Sequence, residues 1–311
     1  MKINKWDGKP ISKPGWYSDV PIEKYHGPNM CAGPAVSSSN LRTCWAKSPA
    51  HVFHTWAENP NREEREATNA LVLGAVSHHI LLGEDDFLTK YVAQPEEYPD
   101  KKTGEMKAWT YAANLCKDWR AQQVDAGRTI VTVKQLDAIV GMSKSLASDA
   151  LVQQGMLRGH IETSGFFQDQ ETGLWIKVRP DVVPTDGPDF VDLKTARDVT
   201  SHALQYTMRE HGYHQQGGLV WEVCEALDQP FTSFWLLFAE SAAPYCARSI
   251  KVTDDDLARG RRQNRVELRR IADCISTGHW PGPGEGEYRE LPLGHDERAR
   301  IDDRLKFEKA V

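Results

Sequence analysis

The segment Leu174–Thr195, LWIKVRPDVVPTDGPDFVDLKT, constrains the fold most strongly. Two apolar runs, 174–183 and 190–195, flank the turn-forming letters TDGP, and this pattern predicts two antiparallel strands joined by a tight turn. The turn folds the second strand back on the first, so Asp181 near the end of one strand can approach Asp192 in the other. The chain is therefore expected to contain a sheet in which two carboxylates converge.

These groups are suited to phosphodiester hydrolysis. Asp192 and Lys194 are two residues apart, so they share one face of a strand. The carboxylates of Asp181 and Asp192 are hard ligands suited to Mg²⁺ or Mn²⁺, and the carbonyl of Leu193 could supply another ligand. Such an ion acidifies bound water, and Lys194 could hold or deprotonate that water as the nucleophile.

The alternative for this hairpin is a surface feature whose charges face solvent, because D-x-K is a common tripeptide. The neighbours Phe190, Val191 and Leu193 are apolar and predict a buried strand, in which charged groups need partners. From these residues alone, the metal site and the surface hairpin both stay open.

Three further residues are candidates for the same site. A helix is predicted over 63–82, and His78 lies on its apolar face either as a satisfied core residue or as a metal ligand. Glu162 lies on a predicted strand, where it either adds a carboxylate to a second metal position or pairs with an arginine. Gln216, near the start of a predicted helix, either hydrogen-bonds the phosphate or Lys194, or is simply a polar helix start.

A helix start at Ser37-Ser38-Ser39-Asn40 provides a candidate anion site. Ser39 and Arg42 could hold a 5′-terminal phosphate, because a helix N-terminus with serine and arginine offers amide and guanidinium groups to an anion. The alternative is an ordinary helix cap with a surface arginine.

The order of elements predicts one α/β domain over residues 1–311 with an N-terminal helical layer. Residues 1–35 are rich in Pro and Gly and are expected to form an irregular arm, 36–155 a mainly helical layer, 156–280 the catalytic core, and 281–311 a tail with a last helix. Strands are predicted at 160–168, 174–183, 190–195, 231–240 and 245–252, helices at 63–82, 108–125, 133–155, 200–210, 213–227, 254–277 and 296–308, and a surface loop at 94–107.

Composition sets limits on the class of protein. The 311 residues include 40% hydrophobic and 26% charged residues, an ordinary soluble balance, and the formal net charge of −6 argues against a general basic coat for nucleic acid. The six cysteines form no C-x-x-C pair, so a zinc or iron–sulfur site is not expected. No apolar run approaches the ~20 residues of a membrane helix, and the N-terminus lacks the apolar core of a signal peptide. A cytoplasmic location is therefore expected.

Short motifs occur in a fixed order between about residues 25 and 240. They are Tyr25-His26, Ser37-Ser38-Ser39 with Ser48-Pro49, Gly74 to His78, Glu162, Arg179-Pro180-Asp181, Asp192-Leu193-Lys194 and Tyr213-His214-Gln215-Gln216. This ordered set resembles the RecE-type, exodeoxyribonuclease VIII-like exonucleases, a phage and prophage branch of the PD-(D/E)xK nuclease superfamily.

The resemblance implies a restriction-endonuclease-like core, with a mixed central β-sheet flanked by helices. It implies Mg²⁺-dependent 5′→3′ digestion of linear double-stranded DNA, with Mn²⁺ as a substitute and two ions per site, to leave 3′ single strands for recombination. It also implies a single-strand annealing protein as partner and a ring-shaped homo-oligomer, a trimer or tetramer, around the duplex.

Residue roles follow from the same resemblance. It implies metal ligation by His78, Asp181, Asp192 and the Leu193 carbonyl, with catalytic or supporting roles for Lys194, Gln216 and Glu162. The chain departs from the family where a tyrosine four residues after the glutamine is replaced by Val220, and the pair Gly217-Gly218 is weak helix sequence.

The sequence leaves other nuclease and DNA-binding activities open. The same fold could carry an endonuclease or a single-strand exonuclease, or the chain could be a catalytically silent DNA-binding subunit. The retained His78, Asp181, Asp192 and Lys194 argue against a silent subunit.

Overall fold

The computed structural model describes residues 2–63, 72, 74–78, 87–185, 187–286, 290 and 292–308. Within the predicted helix 63–82, the structure describes residues 63, 72 and 74–78, and residues 72 and 74–78 are helical. The rest of that helix lies outside the described residues.

Most strands belong to two five-stranded mixed sheets. Sheet I has the order β1-β2-β9-β10-β3, and sheet II has the order β14-β13-β12-β11-β8. The strands are β1 (Ile3–Lys5), β2 (Gly15–Ser18), β3 (Ala35–Ser37), β4 (Tyr91–Ala93), β5 (Glu97–Pro99), β6 (Met106–Ala108), β7 (Thr129–Val131), β8 (Gly159–Ile161), β9 (Ser164–Gln168), β10 (Trp175–Val178), β11 (Val182–Pro184), β12 (Asp189–Ala196), β13 (Ser233–Glu240) and β14 (Ala247–Lys251).

Helices flank these sheets, which confirms the predicted α/β class with mixed sheets and helices. The helices are α1 (Ile22–Tyr25), α2 (Ser38–Ala46), α3 (Pro49–Thr55), α4 (Phe87–Lys90), α5 (Asn114–Asp125), α6 (Val133–Ala147), α7 (Ala150–Gln153), α8 (Ser201–His211), α9 (Tyr213–Ala226), α10 (Asp254–Thr277) and α11 (His295–Glu308). Within the described ranges, no helix combines the length and the apolar character needed to cross a bilayer.

The prediction of an irregular arm over 1–35 is wrong. Strands β1 and β2 pair in parallel, and β2 pairs with β9, so the N-terminal segment forms one edge of sheet I. Trp16 on β2 is 1% exposed and stacks on Phe190 of sheet II. The turns lie at the Pro and Gly residues, as the composition indicated. Strand β2, however, pairs with β9, which lies about 150 residues further along the chain.

The predicted strands 160–168 and 174–183 are each divided into two. The chain leaves sheet II after β8 and enters sheet I as β9, then leaves sheet I after β10 and returns to sheet II as β11. Pro180 stands at the second crossing, where a residue without an N–H cannot continue a ladder. The predicted surface loop 94–107 likewise contains the short β5–β6 hairpin.

The predicted hairpin that carries the acidic residues is present. Strand β11 pairs antiparallel with β12, with Val182 opposite Val191, and β12 runs parallel to β13 in the middle of sheet II. Strand β12 alternates between two apolar clusters: Phe190 packs on the α9 side, and Val191 and Leu193 pack on the α6 side.

This alternation decides which way the polar residues of β12 face. With a period of two, Asp192 and Lys194 share the side of Phe190, toward α9. Helix α9 is continuous through Gly217-Gly218, where weak helix sequence was noted. A Cβ on Gly218 would lie 2.9 Å from the main-chain oxygen of Leu257, so the glycine permits close packing of α9 on α10.

Candidate active site

The two chain crossings between the sheets bring Glu162 and Asp181 together. Glu162 directly follows β8 with φ at 52°, and its N–H donates to the carbonyl of Asp181 at 3.1 Å. Each carboxylate therefore lies at a corner of the chain, rather than within a continuous strand as predicted.

His78, Glu162 and Asp181 form a compact cluster of potential metal ligands. One ligand atom from each lies within 4.8 Å of the others. His78 Nδ1 is 3.3 Å from Asp181 Oδ1, and the His78 side chain is 24% exposed. One imidazole nitrogen and two carboxylate oxygens form a donor set that Mn²⁺ and Mg²⁺ accept. The residues present therefore fit a divalent cation.

Asp192 lies beside this cluster but is not one of its three members. Its side chain is 2% exposed and contacts the ammonium of Lys194. Gln216 Nε2 donates to Asp192 Oδ1 at 2.8 Å, so the predicted glutamine reaches the site and bonds the aspartate rather than the lysine. The N–H of Leu193 donates to Asp181 Oδ2, which ties the two aspartate-bearing segments together. The proposed ligand role of the Leu193 carbonyl stays a prediction.

The charges of the cluster favour a protonated His78 beside an ionised Asp181. Burial opposes a charged imidazole, but the carboxylate of Asp181 outweighs it and raises the pKa of His78 to about 9. Burial pushes the pKa of Asp181 upward, yet the charge and hydrogen bond of His78 hold it below its ordinary value. Burial and then the charge of Asp181 raise the pKa of Asp192 to about 6. Without metal at neutral pH, the site therefore holds a proton on His78.

Arg179 of the Arg-Pro-Asp motif anchors Glu162. Its Nε donates to Glu162 Oε2, and its Nη1 donates to the carbonyl of Val20 at 2.7 Å. Glu162 thus pairs with an arginine, one of the two alternatives, and it also belongs to the ligand cluster, where its metal role stays a prediction. Burial raises the pKa of Glu162, although Arg179 opposes this.

One cleft of about 240 Å³ connects this cluster with the predicted phosphate residues. Glu162, Asp181 and Gln216 line it, and so do Ser39 and Arg42. Two of the predicted acidic residues, Glu162 and Asp181, therefore share one cleft with the predicted phosphate residues.

Arg42 is partly committed to the main chain. Its Nη1 donates to the carbonyl of His211 at 2.6 Å, and its Nε donates to the carbonyl of Ser38 at 3.3 Å. Ser39 is exposed, and its hydroxyl lies 2.8 Å from that of Ser37.

Lys177 is a cleft residue that the sequence reasoning missed. It is 4% exposed and donates to the carbonyl of Tyr25 at 2.6 Å, with its ammonium 5.0 Å from the Tyr25 ring centroid. Burial lowers the pKa of Lys177 to about 8. Lys177 lies in the apolar strand β10, and Tyr25, the residue that binds its ammonium, comes from a distant segment of the chain.

Val220, at the position of the family's tyrosine, is 2% exposed and lies at the cleft wall. The cleft is therefore bounded there by an aliphatic side chain with no hydrogen-bonding group. A tyrosine contact from this position is absent in this chain.

The fold is α/β, and its cluster of one histidine and two carboxylates fits a divalent cation. A family model described as a PDDEXK-like domain of unknown function (DUF3799) matches residues 37–292. The chain belongs to this family, and hence to the PD-(D/E)xK nuclease superfamily.

One solved structure shares the fold. The crystal structure of "Putative exonuclease" from Eubacterium rectale has a TM-score of 0.53 at 15% identity, and the alignment covers 88% of this chain and 92% of that chain. A second crystal structure, that of SSO0001, aligns at 11% identity over 68% of this chain and 88% of that chain, with a TM-score of 0.28. No curated protein matches the chain.

Proposed function

We propose that the protein is a Mg²⁺-dependent 5′→3′ exonuclease that digests linear double-stranded DNA and leaves 3′ single strands. One observation carries this proposal: Glu162 and Asp181 of the ligand cluster line the same cleft as the cations Arg42 and Lys177. The ligand cluster suits hydrolysis of a phosphodiester, and the cations suit a phosphate held beyond it.

The residues have separate tasks in this proposal. His78, Glu162 and Asp181, together with Asp192, hold one or two divalent ions, and Mn²⁺ replaces Mg²⁺. When bound, such ions acidify water and polarise the phosphoryl oxygen.

Lys194 holds the attacking water and offsets charge at the scissile phosphate. Asp192 fixes the lysine, and Gln216 fixes Asp192 through its 2.8 Å hydrogen bond. These contacts keep the groups in place before the DNA arrives.

The cations of the cleft recognise the 5′-terminal phosphate. Lys177 has a buried ammonium, and among the described residues it makes no ion pair with a carboxylate. The Glu58 carboxylate acts on this ammonium only at longer range, as one of the charges that raise its pKa. Because burying a charge is costly, an incoming phosphate would add a directly paired anion. Burial lowers the pKa of the nearby His26, and the charges of Lys177 and Arg179 lower it further, to about 4. Ser39 and Arg42 complete the phosphate site.

The biological setting follows from the family resemblance. The protein would act in the cytoplasm of a bacterial host on DNA ends, as a ring-shaped trimer or tetramer. The 3′ strands that it leaves would pass to a single-strand annealing protein in phage-type homologous recombination.

End-labelled DNA tests the reaction. With Mg²⁺, linear duplex DNA should lose nucleotides from each 5′ end, while closed circular DNA stays intact. Cutting of circles would contradict the exonuclease proposal, and release from the 3′ end first would contradict the polarity.

The phosphate site has its own test. Wild type should prefer 5′-phosphorylated over 5′-hydroxyl ends, and Lys177→Met should reduce that preference by roughly 10-fold or more, as expected for a hydrogen bond between charged groups. Lys251→Met, on the exposed side chain of β14, is the matched control. An unchanged preference in Lys177→Met would remove Lys177 from the phosphate site.

A further inference from the structure

We infer that Tyr213 is a positioning residue that holds Lys194 against Asp192, an inference that rests on the proposed nuclease function. The Lys194 ammonium lies 5.1 Å from the centroid of the Tyr213 ring and contacts the Asp192 carboxylate. The Lys194 side chain is only 18% exposed, so it lacks most of its hydration. An aromatic face close to such an ammonium attracts it.

The Tyr213 ring is itself fixed by its neighbours. It stacks on the His211 ring at 5.4 Å with an interplanar angle of 29°, and it lies 6.1 Å from the Phe238 ring at 51°. Phe238 belongs to β13 and is fully buried. A ring held by the sheet and by a neighbouring imidazole can direct a flexible lysine side chain.

The turn that presents Tyr213 is also held in place. Gly212 ends α8 and precedes α9 with φ at 61°, a conformation that favours glycine. Arg42 donates to the carbonyl of His211, and a Cβ on Gly212 would lie 3.1 Å from Arg42 Cδ. Arg42 therefore braces this turn in addition to lining the cleft.

One turn of α9 supports both members of the Asp192–Lys194 pair. Tyr213 and Gln216 are three residues apart and so project from one side of the helix. Gln216 bonds Asp192, while Tyr213 faces Lys194.

The two residues between them face a different neighbour. His214 Nε2 lies 2.7 Å from Gln263 Oε1, and Gln215 Nε2 lies 3.4 Å from Asn264 Oδ1. The motif Tyr-His-Gln-Gln is thereby divided into two site residues and two residues that pack α9 on α10.

Paired substitutions test the role of the ring. Tyr213→Phe keeps the aromatic face, and Tyr213→Leu removes it but keeps an apolar side chain. On linear duplex DNA, Tyr213→Phe should keep kcat within about twofold of wild type, and Tyr213→Leu should lower kcat roughly 2- to 30-fold, the range of a cation–π contact. The KM for DNA should change little in both. Tyr206→Leu, an exposed tyrosine on α8 that is 56% exposed, is the matched control.

A second readout does not depend on DNA cleavage. The rate at which an amine-acylating reagent modifies Lys194, measured by mass spectrometry on the folded protein, should rise in Tyr213→Leu but not in Tyr213→Phe. If Tyr213→Phe and Tyr213→Leu both keep the wild-type kcat and acylation rate, the positioning role is overturned. It is also overturned if both variants lose kcat to the same extent. If wild type cleaves no DNA, the proposed function fails, and the acylation comparison still decides the inference.

Discussion

Metal binding is expected to release about one proton from His78 at neutral pH. With a pKa of about 9, His78 is protonated in the metal-free protein, and at about pH 7.5 the protonated fraction is roughly 97%. A metal-bound imidazole must be neutral, so this proton is displaced. Asp192, with a pKa of about 6, is almost fully ionised there and adds little.

Calorimetry measures the proton directly. Mn²⁺ titrated into the protein at about pH 7.5, in two buffers with different ionisation enthalpies, should give close to one proton released per site. An unperturbed histidine would give only about 0.1 proton, because its pKa is about 6.5. His78→Gln should abolish the release, while His202→Gln, an exposed histidine on α8, should retain it.

The same coupling predicts two pH effects. Below about pH 6, protonation of Asp192 should weaken metal binding. Without metal, the folded pKa of His78 exceeds its unfolded value, so its stabilisation is complete below about pH 6.5 and is lost as pH rises through about 9. A release near 0.1 proton at about pH 7.5, unaffected by His78→Gln, would refute the His78–Asp181 assignment.

Three substitutions test other parts of the structure. Gln216→Leu removes the donor to Asp192 and should lower kcat about 10-fold or more without lowering the melting temperature; an unchanged kcat would show that the bond is dispensable. Gly260→Ala would place a Cβ 2.3 Å from the main-chain oxygen of His214, and urea unfolding should show a loss of about 1–3 kcal/mol, whereas an unchanged midpoint would contradict the close packing of α9 on α10. Trp16→Ala should cost about 3–5 kcal/mol of unfolding free energy; a loss below about 1 kcal/mol would mean that the N-terminal segment does not belong to the folded sheet.

Local signals in the sequence were sufficient for some elements. The helix predicted over roughly 254–277 has these bounds in the structure. Thr253 caps its start, and Gly278 adopts a left-handed conformation after its end. The β11–β12 hairpin and the burial of β12 also followed from local turn chemistry and apolar neighbours.

Other features depend on contacts between distant segments. The N-terminal strands are three and four residues long, and β2 is stabilised by pairing with β9, which no local pattern indicates. The division of the long predicted strands at 162–163 and 179–181 likewise comes from the crossing between two sheets. Propensity cannot place such a corner, although Pro180 was a usable warning.

The candidate site shows the same division. The convergence of Asp181 with Asp192 followed from the hairpin, but the membership of Glu162 depends on a corner of the chain. Lys177 was missed because a lysine within an apolar strand has no local mark of its position. Its surroundings are set by Tyr25, which approaches from a segment predicted to be irregular.

The most direct test of the central claim is DNA digestion by site variants. Wild type with Mg²⁺ should degrade linear duplex DNA from its 5′ ends, and Asp192→Asn and Lys194→Ala should each lower the rate by roughly 100-fold or more while keeping the wild-type melting temperature. Lys251→Ala should remain as active as wild type. Equal degradation by wild type and both site variants would contradict the claim that this site carries out the hydrolysis.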